Sequence, residues 1–497
     1  MARHLHSAAM PGARLLLERL MLAALLALAL GHGWLRLQLV PDLRVDLGGA
    51  ELNAVYGMQK LLLGRPLYTD PEQPPFEVVQ YTPLFHALAA ATARAVGAEP
   101  QDTVLLFRVG RAVALVLNLL TAALVLSLCI RLGARPATAL AGACIAFMAF
   151  TEHYYGRPDA LATLLVVALV HALARPQRTA SWGWPWAAGL ALVGVAAVLA
   201  KQTAAVALLM VATDRLLAGD RRGLARFAFA ALVIALLAAG LLLACWPVHA
   251  LWQNLVQASR NGIDPTLFME LFDKGIFKYH AGWLLLIAGG AGLVLRRRHG
   301  PGATVVAAGA VALLSGLLFG LKRGSGLNYL VEAEILAAAV GLAWLPACAG
   351  RWGAALRTGV LAYGLLFGVH RTRLLQGRWG DEALRAAHAA DWHADHAILG
   401  AMQAEGLTRS DRVFITYRGH LELLLNGLGQ LPQKDIVEWS LSPPFDLGAL
   451  QALFRDGGIR YVVADRRLQS LPLLGQEHPV VHLFEAEGRH VHAVPAH

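Results

Sequence analysis

Eleven apolar runs recur along the chain, near residues 15–37, 107–130, 136–152, 158–174, 185–200, 202–213, 226–247, 280–295, 302–321, 328–346 and 353–371. Most approach the roughly 20 residues that a helix needs to cross a ~30 Å hydrocarbon core. In lipid such segments satisfy their backbone only as helices packed in a bundle. Composition agrees, since 57% of the 497 residues are apolar and 15% charged, with a mean hydropathy of +0.52. Soluble domains carry about 25% charged residues, so a soluble globular, disordered or fibrous chain is excluded. The expected fold class is a mainly α polytopic membrane protein of about eleven spans with a small extramembrane part.

The formal charge of +10 does not point to nucleic acid. The basic residues sit in short links between alternate apolar runs: Arg131 with Arg135, Arg175 with Arg178, Arg215 with Arg221 and Arg222, Arg296–Arg298, and Arg351. This is the positive-inside pattern. The first run follows Arg3, Arg14 and Arg19 and is read as a retained helix rather than a cleaved signal peptide. The next stretch, Pro41–Gln80, is acidic and therefore expected outside. Putting the five basic links inside leaves Tyr154–Asp159, Lys201, the 248–279 loop, Lys322–Asn328 and the C-terminal part on the outer face.

Two segments strain that weave. Tyr81–Ala98 is apolar, but a crossing there would reverse every later link, so it is read as re-entrant or lying along the outer surface. Residues 202–213 extend only about 18 Å as a helix, so Lys201 is read as a break between two short helices. Broken helices are tolerated where they line a polar cavity. From Gly377 onward charges, His and Pro return. Arg412–Thr416 and Ile459–Ala464 have strand character, and Glu382–Met402 and Phe445–Phe454 have helical spacing. Residues 1–376 are thus expected to form the membrane domain, with outer loop 41–80, and 377–497 a periplasmic α/β domain. The terminal HVHAVPAH reads as a tail. Cys129, Cys144, Cys245 and Cys348 lie in or beside apolar runs without paired spacing, which supports neither a disulfide framework nor a zinc site.

Charged residues on the outer face carry whatever chemistry there is. Glu51 opens an amphipathic helix in which Leu52, Val55, Met58 and Leu62 recur at helical spacing and which Gly64 would end. A helix N-terminus favours Asp46 and Glu51 as anions, so a simple cap on a surface helix is the bland alternative. Pro158 suits a helix start and puts Asp159 in the first turn, where dipole complementation alone would also explain it. Lys201 interrupts an apolar run, and an ionisable group at that depth costs about 2.5–3.5 kcal/mol. It therefore either snorkels or meets an anion. Lys322-Arg323-Gly324-Ser325-Gly326-Leu327-Asn328-Tyr329 has the make-up of an anion nest, or of a tight turn between spans. His388, His393 and His396 beside Asp391 and Asp395 fit a solvated linker helix better than a metal site. No complete Walker A, HExxH or GxSxG occurs. Cations that hold a lipid phosphate, with a carboxylate to take a proton from an attacking hydroxyl or amine, would suit group transfer from a lipid phosphate.

These segments resemble the GT-C superfamily of integral-membrane glycosyltransferases, in the bacterial branch near protein O-mannosyltransferases and the aminoarabinose transferase of lipid A. The likeness rests on Glu51 (with Asp46 nearby) thirteen residues before Gly64, on Gly64-Arg65-Pro66-Leu67-Tyr68, on Tyr81-Thr82-Pro83-Leu84, on Arg157-Pro158-Asp159, on Lys201-Gln202-Thr203 and on Asn328-Tyr329. It departs in the first loop, where Ala50-Glu51 stands for the paired Asp-Glu of many relatives. The resemblance implies inverting transfer of a sugar from a polyprenyl-phosphate donor on the outer face of the bacterial cytoplasmic membrane, without a metal or other cofactor. Glu51 or Asp46 would be the base, Asp159 its partner, and Lys201 and Arg157 contacts to the phosphate. Tyr68, Tyr81, Lys322, Arg323, Asn328 and Tyr329 would line the substrate site. The donor sugar and the acceptor stay open. A transporter or flippase for a lipid or anion, or a non-catalytic assembly protein, could use the same charges. The transporter calls for inverted repeats, and none is evident.

Overall fold

The computed structural model describes residues 11–42, 50–150, 155–175, 182–260, 262–271, 280–296, 300–323, 325–417, 419–430, 445–473 and 476–495. The helices of the membrane part are α1 (Pro11–Leu39), α2 (Ala50–Leu62), α3 (Pro83–Ala95), α4 (Thr103–Arg131), α5 (Pro136–Ala149), α6 (Asp159–Leu173), α7 (Trp184–Ala200), α8 (Val206–Leu217), α9 (Arg221–Cys245), α10 (Val248–Leu255), α11 (Pro265–Leu271), α12 (Ala281–Arg296), α13 (Pro301–Gly320), α14 (Val331–Ala339), α15 (Leu345–Cys348) and α16 (Gly353–Gly380). The bundle core joins α4 to α5 and α6, α6 to α7, α7 to α9, and α13 to α8, α12 and α14. The first helix packs on α5 and α16.

The chain is a multi-pass membrane protein. Among the described residues five helices are long and apolar enough to cross a membrane: Thr103–Arg131, Arg221–Cys245, Pro301–Gly320, Asn328–Cys348 and Gly350–Gly380. The helix Arg221–Cys245 is the least buried of them and presents Leu232, Leu236, Leu237 and Leu241 outward, as a lipid-facing helix does. Four more apolar helices, Pro136–Ala149, Asp159–Leu173, Trp184–Ala200 and Ala281–Val294, have 10–17 residues. Eleven crossings would require these short helices, and the α7–α8 pair broken at Lys201, to count as spans. Helix α3, with 13 residues, reaches only about 20 Å and packs on α2, α4 and α7; it is too short to cross alone.

The first outer loop departs most from expectation. Helix α2 does not rest on a surface, because every residue from Ala50 to Lys60 is buried. Its polar side is occupied by protein. Lys60 and the Tyr56 hydroxyl both donate to Glu77. Asn53 Nδ2 donates to the Val78 carbonyl at 2.8 Å. Gln59 Nε2 donates to the carbonyls of Pro100 at 2.8 Å and Leu423 at 2.9 Å. Past the helix Gly64 takes φ +69°, a left-handed turn natural to glycine.

Helix α16 runs unbroken to Gly380, and α17 (Glu382–Ala404) opens the C-terminal domain. Its sheet has the order β1-β2-β6-β5, from β1 (Val413–Ile415), β2 (Tyr461–Ala464), β5 (Val481–Ala486) and β6 (Arg489–Ala493). A second hairpin pairs β3 (Ser470–Leu473) with β4 (Gln476–Pro479). The HVHA segment is therefore an interior strand and not a tail: β6 pairs antiparallel with both β2 and β5. The domain sits against the first loop through α18 (Leu421–Gly427), where Asn426 Nδ2 donates to Gln59 at 3.0 Å. Phe76 and Val78 of that loop join one of its apolar clusters. Asp391 and Asp395 serve the domain's own packing: Arg489 donates to both, and Asp395 also accepts the Tyr417 hydroxyl at 2.6 Å and the His420 amide at 2.7 Å.

Candidate active site

Two interruptions of helix build the site. Helix α6 begins at Asp159, directly after Pro158, whose fixed φ suits a helix start. Helix α7 ends at Ala200, and Lys201 is extended (φ −156°, ψ 130°) before a short turn, Gln202–Ala205, leads into α8. The break frees the Lys201 side chain from the helix surface. Its Nζ lies 2.6 Å from Asp159 Oδ1, and its charge sits 4.8 Å from the centroid of the Tyr329 ring. Asn328 Nδ2 donates to the same Asp159 oxygen at 2.9 Å. Arg157 Nε stands 3.3 Å from Oδ2. Asp159 and Lys201 are both buried. Burial of each charge is tolerable because the other compensates it.

This cluster lines a small, partly enclosed pocket. Asp159, Lys201, Asn328, Tyr329 and Glu332 supply its polar wall, and Gly316 and Phe319 part of its apolar one. Glu332 accepts the Thr163 hydroxyl at 2.6 Å, which ties α14 to α6. The arrangement offers a cation, a carboxylate that a proton could reach, an amide donor and an aromatic face, next to an apolar lining.

Glu51 stands behind this pocket, outside its lining. Arg111 grips its carboxylate with two bonds of 2.8 Å, from Nε and the terminal nitrogen, and the Gly156 amide donates a third at 2.8 Å. Both side chains are buried. Arg111 also donates to the carbonyls of Leu39 and Asp42. Glu51 thereby fastens the turn that, three residues later, delivers Asp159. That turn lies tight on α4: a Cβ added at Gly156 would come within 2.8 Å of the Gly110 carbonyl carbon.

The remaining expected residues divide. The Tyr68 hydroxyl donates to the Tyr81 carbonyl at 2.7 Å, and the charges of Arg157, Lys201 and Asp159 act on the Tyr81 phenol. Gln202, next to Lys201, donates to the Gln80 carbonyl at 2.6 Å. These bonds bring the Tyr81 segment to the site. Lys322 is half-buried and feels the charge of Lys201. Arg323 is not drawn in: its side chain is 61% exposed and lies 3.7 Å from Asp264. The reason is that the backbone of 321–323 is bonded to the 262–264 segment, Arg323 amide to Gly262 carbonyl and Asp264 amide to Leu321 carbonyl. Asp46, and Gly324 of the expected nest, lie outside the described residues.

Arg111 and Glu332 went unnoticed in the sequence reading. The signal that singled out Lys201, a charge inside an apolar run, applies equally to Arg111 in 107–130 and Glu332 in 328–346. Among the described residues two groups carry metal-ligand chemistry, Asp70 with Glu72 and His249, and His482 with Glu485 and His490. Neither includes a member of the Asp159–Lys201 cluster.

No family model matches the sequence, and no curated protein matches it. Solved structures do. The crystal structure of ArnT from Cupriavidus metallidurans bound to undecaprenyl phosphate is 16% identical, with 95% of this chain and 97% of that chain covered and a TM-score of 0.60. The same protein in the apo state is 14% identical over the same shares, with a TM-score of 0.61. At such identity the likeness is one of fold. The chain has the fold of these structures.

Proposed function

We propose that this chain is a glycosyltransferase of the bacterial cytoplasmic membrane, which moves a sugar from a polyprenyl-phosphate donor to an acceptor on the outer face, with its C-terminal domain on that side. The observation that carries the reading is the buried Lys201–Asp159 pair on the wall of the apolar-lined pocket. The fold shared with an ArnT captured on undecaprenyl phosphate supports the choice of lipid.

In this reading the acceptor hydroxyl or amine attacks the anomeric carbon of the donor. The bond from that carbon to the phosphate oxygen breaks, and polyprenyl phosphate leaves with the electron pair. The acceptor proton passes to a carboxylate. Attack from the face opposite the phosphate inverts the anomeric carbon. Lys201, helped by Arg157, meets the charge that grows on the departing phosphate. A preorganised cation in a site shielded from water stabilises such charge strongly. Asp159 holds Lys201 in place before the donor arrives and is the carboxylate best set to receive the proton. Tyr329 and Asn328, which line the pocket, would face the sugar. Glu51 acts through the turn it fastens, as a positioning residue, because Asp159 lines the pocket and Glu51, held by Arg111 and Gly156, does not. No step calls for a metal.

The test is turnover by the purified protein of a panel of undecaprenyl-phosphate sugars, with a bacterial cell-envelope extract supplying acceptor hydroxyls and amines, read as free undecaprenyl phosphate. The reading expects release from at least one donor by the native protein, and release lowered about 10²–10³-fold once Lys201→Met is introduced into a protein that still folds. Release that Lys201→Met leaves intact would reject the assignment of the site.

A further inference from the structure

The C-terminal domain carries a second constellation, on its terminal hairpin. His490 and His492 lie two residues apart on β6 and so share a face. Opposite them on the edge strand β5, His482 pairs with His492 and Glu485 with His490. In a regular strand His482 and Glu485, three residues apart, would point to opposite faces. A register shift between His482 and Phe484 brings them to the same one, as a bulge does.

The donor atoms converge. His482 Nε2 lies 3.3 Å from His490 Nδ1, and Glu485 Oε2 lies 3.1 Å from that same Nδ1. All three ligand atoms fall within 4.8 Å of one another. A tetrahedral ion with bonds of about 2.0–2.2 Å would set its ligands about 3.3–3.6 Å apart, close to what the hairpin holds ready. His492 is already spoken for: its Nε2 accepts the Leu468 amide at 3.0 Å and its Nδ1 faces the Val462 carbonyl. Glu485 is 62% exposed, so an ion has a path in.

We propose that His482, Glu485 and His490 bind one first-row divalent cation of the zinc class, with water or a partner's donor completing the shell. Two imidazoles and a carboxylate suit such an ion and are poor ligands for magnesium or calcium. The ion would clip the edge strand β5 to β6 and fasten the end of the sheet.

The test uses the full-length protein in detergent, without a polyhistidine tag, equilibrated with Zn²⁺ and freed of loosely held metal. Metal content and thermal unfolding are compared with those of Glu485→Gln, His482→Ala and His490→Ala. Because the comparison is by difference, zinc held elsewhere on the chain cancels. Each variant is expected to carry one fewer zinc ion per chain and to lose the zinc-dependent rise in unfolding temperature of the C-terminal domain. Glu485→Gln alters an exposed side chain and tests the site even where a histidine variant folds poorly. Equal metal content in the native protein and Glu485→Gln, with equal thermal response to Zn²⁺, would overturn the proposal.

Discussion

Lys201 Nζ and Asp159 Oδ1 stand 2.6 Å apart, although 42 residues separate them in the chain. The contact joins the start of α6 to the break between α7 and α8, so both helix irregularities meet at one point. Removing one partner leaves the other as an uncompensated buried charge, at about 3–5 kcal/mol. Lys201→Met and Asp159→Asn are each expected to destabilise on that scale and to lower turnover by about 10²–10³-fold. The double variant should recover much of the stability and none of the activity, which thermal unfolding and turnover on the same preparations would read. Recovery of activity along with stability would mean that the pair is only structural.

The Glu51–Arg111 pair makes a different forecast. Glu51→Gln leaves a buried guanidinium short of its counter-charge, and a loss of about 3–5 kcal/mol is expected. Glu51→Gln combined with Arg111→Met should restore part of it. Turnover in the double variant should exceed that in Glu51→Gln, as expected of a residue that positions a turn. If the double variant is as stable as native and wholly inactive, Glu51 is itself the base.

Gly156 has no room for a side chain. Alanine there would meet the Gly110 carbonyl carbon at 2.8 Å and its Cα at 2.9 Å, both backbone atoms that cannot swing away. Gly156→Ala should push the turn carrying Arg157 and Asp159 off α4. Turnover should fall more than with Gly189→Ala, whose added Cβ meets nothing within 4 Å. Rates for the two variants at matched folded fraction are the check.

Arg323 serves as the control. Its exposed, long contact to Asp264 belongs to a class worth about 0–1 kcal/mol. Arg323→Ala should leave unfolding temperature and turnover near native, whereas Lys201→Met should not. A loss in Arg323→Ala comparable to Lys201→Met would bring the 322–329 turn back into the site.

Much of this was legible in one dimension because lipid imposes its pattern residue by residue. The run at 107–130 became Thr103–Arg131, the break at Lys201 appeared where a lysine interrupts an apolar stretch, and Pro158 started α6. What stayed hidden depends on partners far along the chain. Helix α2 has the spacing of a surface helix, and only Glu77, Val78, Pro100 and Leu423 make it a buried one. The pairing of Glu51 with Arg111 stayed hidden because sixty positions separate them. The HVHA strand looked like a tail because its neighbours in the sheet are β2 and a bulged β5. Local spacing carries no record of such pairings.

The central claim is that the Asp159–Lys201 pocket receives a polyprenyl phosphate. Native mass spectrometry of the purified protein titrated with undecaprenyl phosphate measures this directly, with Lys201→Met and Arg323→Ala run alongside. The account predicts one retained lipid on the native protein and on Arg323→Ala, and binding weakened at least about tenfold in folded Lys201→Met, since a charge-assisted contact is worth about 1.5–3 kcal/mol. Equal retention by all three proteins would contradict it.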